Sequence, residues 1–293
     1  MTEHFVAPPL WEWYIVWYFF LGGLAGGAYL IGTLLRLVGD PRDEGVARLA
    51  FLVAFPAMVI CPLLLTLDLG RPSRFWHMLI DSRTGVPNFK YWSPMSLGAW
   101  ALLFFGLFAT LSFIEVVFKE GYARNAPARG IASLMSGGFG RLLMIVGAVL
   151  GLFIAGYTGV LISVSNQPVW SDTWALGGLF LASGLSVAAA ALTLMTRLGR
   201  HEASAEAKLT RADRYFTILE LVLLAAFFLS LGAVASQFLQ PRWMALWAVV
   251  VIGIVVPFVL QFSSARAPAM LAAVLTLVGG LALRIVVVFG AQM

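Results

Sequence analysis

The chain is 293 residues long, 61% hydrophobic and only 11% charged. That apolar share exceeds the roughly 45–50% of soluble globular domains and excludes an ordinary water-soluble fold. The formal net charge of +5 follows membrane topology, as the loops show below, and carries no nucleic-acid signal.

Long apolar runs separated by short polar segments predict an all-α integral membrane protein with eight transmembrane helices. In chain order the spans are Trp11–Leu37, Ala47–Leu69, Ser93–Phe118, Arg141–Val164, Thr173–Met195, Tyr215–Gln237, Trp243–Phe262 and Ala267–Val288. The N-terminus does not read as a signal peptide, since Glu3 stands where a basic flank belongs and the first apolar stretch is too long. That stretch opens on aromatic residues from Trp13 to Phe20 and then drops to Gly22-Gly23 and Gly26-Gly27. The second span closes on Leu67-Asp68-Leu69-Gly70-Arg71-Pro72. It leads into a substantial loop, Gly70–Trp92, that begins amphipathically with Phe75, Trp76, Met78 and Leu79. This loop suits either a docking platform for another subunit or an interfacial segment anchored by Trp76 and Trp92. The segment Arg197–Arg214 is the longest loop on the other side, with room for a short surface helix.

Thirteen basic residues fall in the loops after spans one, three, five and seven, against five on the other face. The positive-inside bias makes the first set cytoplasmic and places both termini outside, which in a bacterial inner membrane means the periplasm. Eight spans divide into two four-helix bundles, residues 1–166 and 167–293. Leu21-Gly22-Gly23-Leu24 recurs as Leu176-Gly177-Gly178-Leu179, a slight sign of a parallel repeat.

Redox centres are not expected in this chain. His4, His77 and His201 lie outside the spans, so paired axial haem ligands on facing helices are missing. Cys61 stands alone, and no His, Cys and carboxylate grouping has metal-ligand spacing. What remains is a set of polar residues at one depth, within the outer third of the bilayer: Tyr18, Asp68, Tyr157 and Arg284. Together they suit an amphipathic ligand entering from lipid.

Each has a plainer use. Tyr18 fits an aromatic belt, Asp68 an ion pair with Arg71, and Gly23 and Gly27 close helix packing as readily as contact with a flat ligand. Arg284 is the hardest to dismiss, because a buried arginine costs about 2.5–3.5 kcal/mol on insertion scales. Asp68 and Arg284 are expected to pair. Glu115 and Glu220, placed near the cytoplasmic ends of spans three and six, are expected to snorkel, with the start of a proton path as the other option.

Several of these motifs together resemble the NrfD/PsrC-like polysulfide reductase family of membrane anchor subunits. They are the aromatic start with Gly22-Gly23-Leu24-Ala25-Gly26-Gly27, the Leu67–Pro72 motif and Ser93-Pro94-Met95-Ser96-Leu97-Gly98-Ala99-Trp100. Tyr157-Thr158-Gly159-Val160, Asn166-Gln167-Pro168-Val169-Trp170 and the last helix around Arg284 complete the series in family order. The resemblance implies a haem-free subunit that binds quinone, menaquinone or ubiquinone, near the outer surface. It also implies a ferredoxin-like iron–sulfur partner and, through it, a molybdopterin enzyme or a multihaem cytochrome. It maps the quinone contacts to Tyr157 and Tyr18, although some members carry histidine at the latter place and asparagine where this chain has Ile15. In that reading Tyr157, Asp68 and Arg284 carry the chemistry, and Tyr18, Gly23 and Gly27 line the cofactor. The competing readings are a secondary transporter, disfavoured because no matched spans are interrupted near the midplane, and a passive anchor without its own quinone site.

Overall fold

The computed structural model describes residues 10–122, 125–199, 203–262 and 266–292. Glu3, His4, Arg124, Arg200 and His201 lie outside the described residues. Nine α-helices account for most of them: α1 Trp13–Val38, α2 Glu44–Asp68, α3 Pro94–Lys119, α4 Ala126–Leu134, α5 Gly137–Ser163, α6 Leu176–Leu198, α7 Ala203–Leu231, α8 Pro241–Leu260 and α9 Arg266–Gly290. All except α4 are long and apolar enough to cross a membrane, which gives the eight spans expected.

The short α4 answers to no predicted element. Asn125 caps it by accepting from Ala128 N at 2.9 Å, and Pro127 stands in its first turn. The stretch expected as a long cytoplasmic loop before Tyr215 is mostly helix as well. Its Ala, Glu and Lys content favours helix over loop, so α7 begins at Ala203. The longer helix places Glu220 in the interior of α7 rather than near its start.

Two doubled glycines on α1 organise the packing. Positions four apart share a helix face, so Gly22 and Gly26 form one stripe and Gly23 and Gly27 a second beside it. The first stripe faces α5: a Cβ on Gly26 would overlap the carbonyl of Gly151. The second faces α6, where a Cβ on Gly23 would stand 3.1 Å from Gly184 Cα and one on Gly27 2.7 Å from Ala188 Cβ. Helix α1 thus meets two helices at near-backbone contact. Gly177 and Gly178, the apparent repeat of Gly22-Gly23, sit at the very start of α6 and face Val160 and Leu223. The two tetrapeptides therefore do different work.

In the first half α1 packs on α2 and α5, and α3 closes against both. In the second, α6 packs on α7 and α9, and α9 on α8. Helix α6 also packs on α1 and α5, so the two halves share an interface.

At the end where α1 begins and α9 ends, the halves are sewn together. Trp170, wholly buried, donates to Val287 O at 2.8 Å and stacks on Trp11 at 5.0 Å. Trp11 N donates to Gln292 Oε1 at 2.6 Å, and Gln167 bonds Ala291 O. Val169 holds φ +79°, a conformation that a β-branched residue rarely adopts, and its N–H is fixed by Asp172 Oδ2 at 2.8 Å. At the opposite end charges are paired: Arg36 with Glu44 at 2.9 Å and Glu115 at 3.0 Å, Lys119 with Glu115 at 2.5 Å, and Arg48 with Glu120 at 2.7 Å. Glu115 therefore does not snorkel; it is 1% exposed inside this network.

Candidate functional site

Tyr18 and Tyr157 come together where the four spans of the first half converge. Both rings are buried and are electrostatic neighbours. Tyr157 on α5 donates its hydroxyl to Pro94 O at 2.6 Å, at the first turn of α3. A proline there leaves no N–H to satisfy, and Ser93 caps the helix by accepting from Ser96 N at 3.4 Å. Gly98, one turn on, lies directly under the phenol, and a Cβ there would overlap the ring and its hydroxyl. The Ser93–Trp100 motif is thus the seat of Tyr157. Phe153 stacks on Tyr157 at 5.4 Å and is itself exposed, so the phenol lies one ring in from the lipid-facing surface.

Tyr18 is wedged from the other side. Cys61 on α2 reaches Ala57 O at 3.2 Å and Tyr18 O at 3.9 Å. No hydrogen bond is made by the Tyr18 hydroxyl to any described residue. A buried phenol with its proton uncommitted is ready for an external acceptor. That places a free donor beside a hydroxyl whose proton is already engaged, with lone pairs to spare.

Asp68 ends α2 half-buried, and the charge nearest to it is Glu12. No ion pair joins it to Arg284 or Arg71 among the described residues. The expected Asp68–Arg284 pair is not made, because Arg284 points into the second half. It is wholly buried; Nη1 donates to Ser183 Oγ at 2.8 Å and Gly280 O at 2.7 Å, and Nη2 to Phe180 O at 3.3 Å. Phe180 and Phe20 cover the guanidinium at 5.3 Å and 5.9 Å. Its charge partner is Glu220 on α7, which shares the Ser183 hydroxyl. The expected snorkelling of Glu220 does not occur, since it lies in the interior of α7 and is 3% exposed.

Gly23 and Gly27 belong to this second face, in contact with α6 and, for Gly23, with the Arg284 guanidinium. Both face α6 rather than the tyrosine pair. Ser183 and Asp213 escaped the sequence reading, and Gly98 entered it only as a member of the Ser93–Trp100 motif. The first two repeat at helical spacing with Ser186 and Glu220, three and seven residues on, which was the available signal.

Eight spans around two enclosed polar clusters define a polytopic membrane protein. A sequence model described as "Polysulphide reductase, NrfD" matches residues 2–293, and the chain belongs to the NrfD family. It is 33% identical to a polysulfide reductase chain of Wolinella succinogenes over 60% of this sequence and 55% of that one. It is 29% identical to a selenate reductase subunit of Mesobacillus selenatarsenatis, covering 43% and 28%. Protein NrfD of Escherichia coli is 27% identical over 97% of this sequence and 95% of its own. The protein thus spans about half of the first relative and under a third of the second.

Proposed function

We propose that this protein is the membrane subunit of a reductase complex and exchanges electrons between membrane quinone and an iron–sulfur partner docked on the outer face. The observation that carries the reading is the Tyr18–Tyr157 pair, in which the Tyr18 hydroxyl is uncommitted and Tyr157 lies one ring, Phe153, from the surface. The residues fit a quinone head group: Tyr18 donates to a ring carbonyl, and Tyr157, its own proton held by Pro94 O, accepts from a ring hydroxyl. Quinone or quinol, when bound, supplies the two-electron, two-proton chemistry; the chain binds, orients and excludes water. Asp68, at the outer end of α2, handles the proton at that surface. Family membership and relatives named as reductase subunits support a complex whose iron–sulfur member leads on to a molybdopterin or multihaem catalytic partner. The exposed Phe75, Trp76, Tyr91 and Trp92 of the outer loop suit that docking. The basic loops put the opposite face in the cytoplasm and both termini in the periplasm.

The test is to measure quinone-linked turnover of the intact complex carrying Tyr18→Phe or Tyr157→Phe, beside turnover with an artificial electron carrier at the partner. Each variant should lose about tenfold or more of the quinone activity, the equivalent of one hydrogen bond of roughly 1–1.5 kcal/mol. Carrier activity should stay. Unchanged quinone kinetics in both variants overturns the site.

A further inference from the structure

The cations of the basic face are not all treated alike. Where α1 runs into α2, at the end of α3 and at the start of α7, they stand beside carboxylates: Arg36 and Arg48 with Glu44, Arg48 with Glu120, and Lys208 with Asp40 and Asp43. From Gly121 to Ser171, by contrast, the chain has three arginines, Arg124, Arg129 and Arg141, and no aspartate or glutamate. Arg129 and Arg141 are exposed, and neither side chain makes an ion pair or hydrogen bond among the described residues.

These two arginines stand at the rim of an apolar surface. Helix α4 follows the end of one span and precedes the start of the next, so it lies at the membrane boundary. It packs on α3 with Ala128 and Ala132 turned inward, and it turns Arg129, Ser133 and Leu134 outward. On α5, Leu142, Ile145, Val149 and Phe153 are exposed along one stripe, three or four residues apart, a surface for acyl chains. Arg141 belongs to the same side of the helix, one turn before Ile145, so a cation stands at the headgroup end of that stripe. Phe139, also exposed, sits beside it. Gly137, at φ +74°, and Gly138 leave room there, since a Cβ on either would meet nothing within 4 Å. Orienting helices in a membrane needs positive charge in a loop but no apolar rim around it. Guanidinium groups beside side chains that can hold acyl carbons match a lipid whose headgroup carries net negative charge.

We propose that α4 and the first turns of α5 form a docking surface for an anionic phospholipid of the leaflet at the basic face. Arg129 and Arg141 donate to its phosphate oxygens, and Leu134, Phe139 and Leu142 lie along its acyl chains. Charge complementarity selects the occupant: this stretch offers cations that no carboxylate of its own answers. A zwitterionic lipid brings its own cation next to its phosphate and gains less from the same two arginines. The surface uses neither Tyr18 nor Tyr157 and stands independently of the quinone reading.

The experiment takes the full-length protein in detergent and adds phosphatidylglycerol or phosphatidylcholine with the same acyl chains. Native mass spectrometry counts the lipid retained, and the unfolding temperature is read in parallel. Wild type should retain phosphatidylglycerol in preference, by about fivefold for each arginine engaged, and should be stabilised by it. Arg129→Gln and Arg141→Gln should each lose about fivefold of that preference and the double variant about twentyfold. Arg129→Lys combined with Arg141→Lys should keep part of it, because the charge stays. Arg211→Gln, which removes an exposed arginine of α7, should leave the preference intact. Equal retention of the two lipids by wild type overturns the proposal. So does a preference that survives in the double glutamine variant, or one that falls as far in Arg211→Gln. Glycerol 3-phosphate that stabilises wild type as well as the lipid does at equal concentration would assign the surface to a free phosphate and overturn the lipid as its occupant.

Discussion

The two faces of α1 present opposite solutions to keeping polar groups in a membrane. Toward α2 and α5, Tyr18 and Tyr157 are neighbouring buried phenols, and Tyr157 lies one ring from the surface. Toward α6 and α9, Phe20 and Gly23 meet Arg284, a full charge enclosed by protein. A phenol loses little by standing near lipid, whereas a guanidinium must have its charge answered; both Nη atoms of Arg284 are bonded, and its Nε is left without a partner. The glycine stripes make both possible: each brings one neighbouring helix close enough to seal its own site. The neutral face is thus suited to a ligand that comes and goes, and the charged face to groups that stay.

If the charged face is held by mutual compensation, breaking it is the most damaging change available. Arg284→Gln leaves Glu220 buried without its cation, and losing one member of a buried pair costs about 3–5 kcal/mol. Complex yield and thermal unfolding should show a large loss, with partial recovery in Arg284→Met combined with Glu220→Leu, which removes both charges. A double variant as poor as the single would mean that Arg284 is held by Ser183, Gly280 and Phe180 alone.

The stripes give a second, smaller contrast. Gly26→Ala drives a methyl into the Gly151 carbonyl, while at Gly22 the nearest atoms are 3.5–3.9 Å away, an ordinary contact distance. Gly26→Ala should destabilise by about 1–3 kcal/mol as overpacking does; Gly22→Ala should be near neutral. Equal unfolding temperatures for the two would break the assignment of separate stripes.

The smallest effect lies at the membrane surface, where water screens charge. Lys208 bonds Asp40 at 2.5 Å and Asp43 at 2.6 Å, tying the loop after α1 to α7. Hydrogen bonding to Lys208 and its charge hold the exposed Asp40 carboxyl below the usual carboxylate range. A depressed value means the contribution is present above the unfolded value of about pH 4 and is lost as pH falls through the folded one. Lys208→Gln should therefore lower the melting temperature slightly at neutral pH, and the gap to wild type should close in acid. A gap that widens in acid would refute the clasp.

The sequence by itself determined the membrane class, the number of spans and the family, because hydrophobic length and motif order are properties of the chain alone. It also named Tyr18, Tyr157 and Arg284, since polar groups in apolar runs stand out wherever the helices lie. What it could not settle was which of them face each other. Arg284 and Asp68 share a depth in a linear reading, yet the rotation of α9 about its axis sends the guanidinium to α6 and α7. Glu220 changed from a snorkelling group to a buried one because α7 turns it toward Ser183 of α6. Rotation and partner choice are set by side-chain packing between helices distant in sequence, and only the tertiary structure fixes that.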